Sequence, residues 1–78
     1  MNEADKMFKR LGYEMSFTDI DNIRYYKDDD NVIYFFITHK TFHKTGEYDG
    51  MYDAITMQEL QAINKKCEEL DWIWVIKK

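Results

Sequence analysis

Apolar residues recur along this chain with two different periods, and the change of period marks out the elements. Near the start, Ala4, Met7, Phe8 and Leu11 fall at i, i+3, i+4 and i+7. That spacing lays one apolar stripe along a helix from Glu3 to Leu11. Asn2 stands where an N-cap is needed, with Asp5 three residues on. Glu3 and Asp5 sit at the positive end of the helix dipole, Lys9 and Arg10 at the negative end. Gly12 offers a left-handed stop, after which Tyr13 can fold back on the last turn.

The middle is a set of short segments dense in β-branched and aromatic residues, separated by turn formers. Ile23 to Lys27 reads as one strand, Asp28-Asp29-Asp30-Asn31 as its turn, and Val32 to Thr38 as the next strand. His39-Lys40 marks a second turn and Thr41 to Lys44 a third strand. Tyr13 to Phe17 offers an edge strand ahead of Ile23. Gly46 and Gly50 bracket a loop carrying Glu47, Tyr48, Asp49, Tyr52 and Asp53. The helical period then returns from Met57 to about Leu70. Leu60, Ile63, Cys67 and Leu70 form the stripe expected to be buried, and Gln58, Gln61, Lys65, Glu68 and Glu69 face water. Thr56-Met57-Gln58-Glu59 is a capping box, and Ile55 ahead of it can pack on Leu60. No Gly or Pro follows Leu70, so the helix is free to continue. The β-branched run Ile73-Trp74-Val75-Ile76 favours an extended tail or an edge strand instead.

A helix, an antiparallel three- to four-stranded meander and a second helix with an extended tail predict an α+β two-layer sandwich, residues 1–78 forming a single domain. Each helix carries one apolar stripe, so both are expected on the same sheet face. The strand from Val32 is apolar on both of its faces. Ile33, Phe35 and Ile37 point one way, and Val32, Tyr34 and Phe36 the other. A two-layer domain covers one of these sets, which leaves the other for the tail, a second subunit or a partner.

Composition narrows the possibilities. At 78 residues the chain is too short for a doubly wound sheet or a (β/α)₈ barrel, and 17% aromatic residues argue against disorder. One Cys excludes an internal disulfide and a Cys-rich zinc site. The acidic opening Met1 to Lys6 does not read as a signal peptide, and no stretch approaches the ~20 apolar residues of a membrane span. A cytoplasmic protein, in a host cell, is expected. Fifteen acidic against 11 basic residues give a formal charge of −4, and no basic stripe is interleaved with aromatics, which disfavours direct nucleic-acid binding. The acids Asp19, Asp21, Asp28, Asp29, Asp30, Glu47, Asp49 and Asp53 would imitate a phosphate backbone if they gathered on one side.

Candidate chemistry is thin. His39, His43 and Cys67 match no zinc spacing, and Cys67 on an apolar stripe reads as a small buried hydrophobe. An EF-hand loop begun at Asp28 puts Val32 at a ligand position and Ile33 where Gly is required. There is no phosphate-binding Gly-rich loop and no nucleophile elbow. The chain therefore reads as a non-enzyme, with no cofactor and no metal. The aromatic surplus is the stronger signal, because Tyr and Trp are enriched as anchors in protein interfaces. Tyr25, Tyr34, Phe36, Trp72 and Trp74 are the candidate contacts, with Asp28, Asp29 and Asp30 at the margin.

The segment Ile55-Thr56-Met57-Gln58-Glu59-Leu60-Gln61-Ala62-Ile63-Asn64-Lys65-Lys66-Cys67-Glu68-Glu69-Leu70, followed by Trp72, resembles the C-terminal part of a group of small acidic proteins encoded by phages and prophages of Gram-positive bacteria. Ala4-Asp5-Lys6-Met7-Phe8-Lys9-Arg10-Leu11-Gly12-Tyr13 is similar to their N-terminal helix. Together these stretches cover about a third of the chain, and Ile73 to Lys78 extends past the point where those proteins end. The resemblance brings no catalytic residue with it. It implies a short phage protein that binds a host or phage protein in a fixed ratio. An inhibitor of an antiviral-defence nuclease, anti-CRISPR-like in action, is one such case. The alternatives are a homodimeric accessory protein, an acidic nucleic-acid mimic, and a module that sequesters a small ligand on its aromatic face.

Overall fold

The computed structural model describes residues 3–28, 30–48, 50–52 and 54–72, and within them every side chain but those of Phe17, Glu47, Tyr48, Met51 and Tyr52. Helix α1 (Glu3–Arg10) leads into β1 (Glu14–Thr18), β2 (Asn22–Asp28), β3 (Asn31–Phe36) and β4 (Thr41–Thr45). Two short strands follow, β5 (Glu47–Tyr48) and β6 (Met51–Tyr52), and then helix α2 (Met57–Glu69). The first four strands form one antiparallel sheet in the order β1-β2-β3-β4. The α+β reading holds, with four strands in the meander. The segment around Gly46 and Gly50, expected as a loop, contains the separate β5–β6 hairpin. Asp49 and Asp53 lie outside the described residues.

Each helix ends in the same way. Gly12, at φ 93, donates to the Lys9 carbonyl (3.0 Å), and Tyr13 donates to the Phe8 carbonyl (2.9 Å). This is a Schellman motif, and the Tyr13 ring lies edge-on to Phe8 with centroids 6.1 Å apart. At the end of α2, Asp71 takes the left-handed position at φ 62 and donates to Glu68 (3.0 Å), while Trp72 donates to Cys67 (2.9 Å). The helix therefore stops without a glycine. Asp tolerates the left-handed region better than most side chains, and Trp72 is turned back towards Phe35, 6.1 Å between ring centres.

Strand parity decides what is buried. Ile23 pairs with Phe35 and Tyr25 with Ile33, so these four side chains share one face. Both helices cover that face. Phe8 of α1 stacks on Tyr25 at 4.1 Å and meets Phe35 edge-on at 6.2 Å. Helix α2 brings Ala62, Ile63 and Cys67 into the same cluster. The buried line of α2 is rotated from the expected one. It includes Glu59 and Lys66, while Leu60 and Leu70 are only partly buried.

The buried polar groups are paired, and the pairings tie the helices to the sheet and to each other. Glu59 completes the capping box: its backbone amide donates to Thr56 Oγ1 (3.0 Å), and its Oε1 accepts from the Thr56 amide (2.9 Å). Its carboxylate also accepts from the Tyr13 hydroxyl (2.6 Å) and lies 3.5 Å from Lys44 Nζ. Lys44, on the helix-covered face of β4, donates as well to the Ala54 carbonyl (2.6 Å). On the other side of the core the Tyr25 hydroxyl donates to Asp5, and Lys66 Nζ lies 3.9 Å from the same carboxylate. Glu69 accepts from the Ala4 amide (2.9 Å), which satisfies a first-turn donor of α1. Asn2, the expected cap, is outside the described residues.

Burial pushes the Glu59 carboxyl up, but the Tyr13 hydroxyl, the Thr56 amide and Lys44 outweigh it and hold the group below its ordinary value. A carboxyl depressed on folding stabilises the fold above its unfolded pKa, and that contribution fades as pH falls through the folded value. Glu59→Ala, which strands Lys44 in the core, is expected to cost about 3–5 kcal/mol in urea unfolding at neutral pH. Lys44→Met, which leaves Glu59 its two other donors, should cost less. The isosteric Glu59→Gln should unfold more readily than wild type at neutral pH, with the gap closing as pH is lowered below the ordinary carboxyl value of 4.5. A gap that widens in acid contradicts this assignment. Asp71→Gly, which relieves a left-handed non-glycine residue, is expected to raise stability by about 0.5–1 kcal/mol.

Candidate functional site

No described helix lies on the other sheet face. Arg24 pairs with Tyr34, Asn22 with Phe36, Tyr34 with His43 and Phe36 with Thr41. Parity therefore turns Asn22, Arg24 and Tyr26 of β2, Tyr34 and Phe36 of β3, and Thr41 and His43 of β4 away from the helices. Tyr34 and Phe36 remain partly open to water on this face. Their rings are nearly parallel, 8° apart in plane and 6.1 Å between centres. His43 flanks Tyr34 at 6.3 Å. Val32, on the same face, is buried at the end where the chain passes through Gly46. Gly46 has φ 135, and a Cβ there would stand 2.0 Å from the Asp30 carbonyl oxygen, so no other residue fits that crossing.

Asn22, Arg24, Tyr34, Phe36 and His43 line a depression of about 300 Å³. Arg24 reaches it from a fixed base. Its Nε donates to Ser16 Oγ (3.1 Å), and Ser16 sits at the register shift between Met15 and Phe17 in β1. A bulge at an edge strand re-aims side chains in this way.

The expected contact residues fall into four groups. Tyr34 and Phe36 meet on the uncovered face. Tyr25 does not join them: it is 1% exposed and belongs to the core, because its place opposite Ile33 turns it towards α1. Its neighbour Tyr26 takes the outward position and is 42% exposed. Trp72 is partly buried against Phe35 on the helix side of the sheet. Trp74 and Asp29 lie outside the described residues. Asp28 and Asp30 are exposed in the β2–β3 turn.

The described acids of the turns do not gather on one side. Asp19 and Asp21 occupy the β1–β2 turn, while Asp28 and Asp30 occupy the β2–β3 turn at the opposite end of the sheet. Several are engaged as hydrogen-bond acceptors. Asp19 Oδ1 accepts from the amides of Asp21 (2.8 Å) and Asn22 (2.7 Å). Asp28 Oδ1 accepts from the Asp30 amide (2.9 Å) and Asn31 Nδ2 (2.9 Å). The bond from Asn31, reinforced by the Asp30 amide, holds the Asp28 carboxyl below its ordinary value. Asp21 accepts from the Thr38 hydroxyl (2.7 Å). Both turns are spelt Asp-x-Asp-Asn, and the shared spelling was a readable signal that the carboxylates build turns.

His43 stands on the uncovered face and Cys67 in the core beneath the other face, so they do not converge. Burial raises the Cys67 thiol above its ordinary value. No cluster of three potential metal-binding side chains occurs among the described residues, and no described helix is long and apolar enough to cross a membrane. Comparison with protein-family models, with curated proteins and with solved structures finds no match.

Tyr34→Ala and Phe36→Ala, made on the uncovered face, are each expected to cost about 1 kcal/mol or less in urea unfolding. Phe35→Ala, between them in sequence but on the helix-covered face, should cost about 3–5 kcal/mol. Equal costs at all three positions would mean that both faces are sealed.

Proposed function

We propose that this chain is a non-enzymatic interaction protein that binds a host or phage protein and modulates or inhibits it by occupying a surface. One observation carries the reading: the parallel Tyr34 and Phe36 rings stand on a sheet face that no described helix covers, with Arg24, His43 and Tyr26 around them. Aromatic residues and Arg are the side chains that anchor protein interfaces, because they bury large area at little entropic cost and still carry a polar handle. The resemblance of the two helices to small phage-encoded proteins supports the phage setting, and inhibition of an antiviral-defence nuclease is the case it favours. A charge mimic is less well supported, since the acidic turns lie at opposite ends of the sheet and Asp19 and Asp28 serve those turns. Pairing of two uncovered faces in a homodimer is the alternative.

The test is affinity capture from host lysate with tagged wild type, Tyr34→Ala, and Met57→Ala, which alters an exposed residue of α2. Wild type and Met57→Ala should retain one protein in a constant ratio, and Tyr34→Ala should lose it. Capture should persist as salt is raised, because apolar contacts are not screened. Capture undiminished by Tyr34→Ala refutes the assignment of the face. A sedimentation dimer that Tyr34→Ala converts to monomer would establish the alternative.

A further inference from the structure

We propose that the uncovered sheet face seats an amphipathic helix of a partner protein, with its apolar stripe over the Tyr34 and Phe36 rings and a Lys or Arg at one end of that stripe meeting Asp21. The inference rests on the reading of this face as an interaction surface and names the chemistry of what the face takes. The depression at the rings continues past Phe36 and Asn22 into a second one of about 500 Å³, lined also by Asp21, Thr38 and His39. The groove therefore changes character along its length, from paired rings to a carboxylate. Asp21 is exposed, and so is Asp19 in the same turn. Among the described residues, the lysines in ion pairs meet Glu59, Glu68 and Asp5, and none meets Asp19 or Asp21. The Thr38 hydroxyl donates to Asp21 Oδ1 (2.7 Å), which positions the carboxylate without neutralising it.

Backbone chemistry selects a helix. An extended segment laid across a sheet face leaves its amides and carbonyls without partners, whereas a helix satisfies its own. The dimensions agree. From β2 to β4 the face is about 10 Å wide, close to the diameter of one helix at about 10–12 Å. From Phe36 to Val32, which is buried where the chain crosses at Gly46, β3 runs about 14 Å, the rise of about nine helical residues. A helix there adds a third layer to the two-layer domain. Charge selects a basic helix over a second copy of this chain. Each copy carries a formal charge of −4, so two copies repel on approach, whereas a basic helix is drawn in. The rings supply the affinity, and the Asp21 contact at the rim supplies selectivity, so capture still persists as salt is raised.

The experiment is a titration of the full chain, read by its amide chemical shifts, with a synthetic helical peptide of about 14 residues. The probe carries a leucine stripe on one face, alanines elsewhere and a pair of lysines at one end. A second peptide has glutamates in place of the lysines, and a third has the leucines dispersed around the helix. Saturable shifts on β2, β3 and β4 are expected for the lysine peptide, with binding at least about tenfold weaker for the glutamate peptide. The dispersed peptide should not saturate. Tyr34→Ala should abolish saturation by the lysine peptide. Asp21→Asn, which keeps an acceptor for the Thr38 hydroxyl, should leave the lysine peptide preferred by about threefold or less. The proposal is overturned if the lysine peptide does not saturate, if either comparison peptide binds as well, if Asp21→Asn keeps the full preference, or if the shifts fall on α1 and α2 alone. Tyr34-dependent capture from lysate alongside any of those results would strike the helix and leave the proposed function standing. Saturation by the lysine peptide with no protein captured would count against the proposed function and not against the seat.

Discussion

The structure turns on one constraint: β3 is apolar on both of its faces, and the described helices cover only one. The side-chain period of a strand is two, so the register of β3 assigns every neighbouring residue to the covered or the uncovered side, and a slip of one position would exchange them. Ile33 and Phe35 go under the helices, and Tyr34 and Phe36 go out. The assignment spreads through cross-strand pairing to Tyr25 against Tyr26 on β2, and to Lys44 against His43 on β4. Turns built on Asp19 and Asp28 at the two ends of β2 hold that register with short hydrogen bonds to the backbone.

The helices are held on the covered face by two similar arrangements. In each, a helix carboxylate accepts from a core tyrosine and lies beside a buried lysine: Glu59 with Tyr13 and Lys44, and Asp5 with Tyr25 and Lys66. Such groups add less net stability than an apolar core of equal volume, but they are directional and penalise any docking that leaves a charge unpaired. In a domain of this size they fix how α1 and α2 sit on the sheet, and so which sheet face stays open.

Much of the architecture was legible from local signals. The two helices, the capping box at Thr56, the stop at Gly12 and the order of strands follow from period and turn chemistry. The alternation of β3 correctly separated Ile33 and Phe35 from Tyr34 and Phe36. The misreadings have particular causes. Strand β3 ends at Phe36 because the chain turns at Ile37, whose carbonyl accepts from the Lys40 amide (3.3 Å), and propensity does not report such a contact. Tyr25, a candidate contact on the strength of the aromatic surplus, is a core residue because the register with β3 sets it opposite Ile33 and turns Tyr26 outward instead. Glu59 and Lys66 were missed as core residues because a hydrophobic stripe cannot announce a buried ion pair whose partners come from distant strands or helices. The depression is likewise non-local: Asn22, Arg24, Tyr34, Phe36 and His43 become neighbours only through sheet pairing.

The functional reading depends on water reaching the β3 rings on the side away from the helices. Tyrosine nitration followed by peptide mass spectrometry tests this most directly, since the chain carries tyrosines on both faces of the sheet. The account predicts that Tyr26 and Tyr34 react while Tyr13 and Tyr25 stay protected until the chain unfolds. Early modification of Tyr25, or protection of Tyr34 in a monomer, would contradict it.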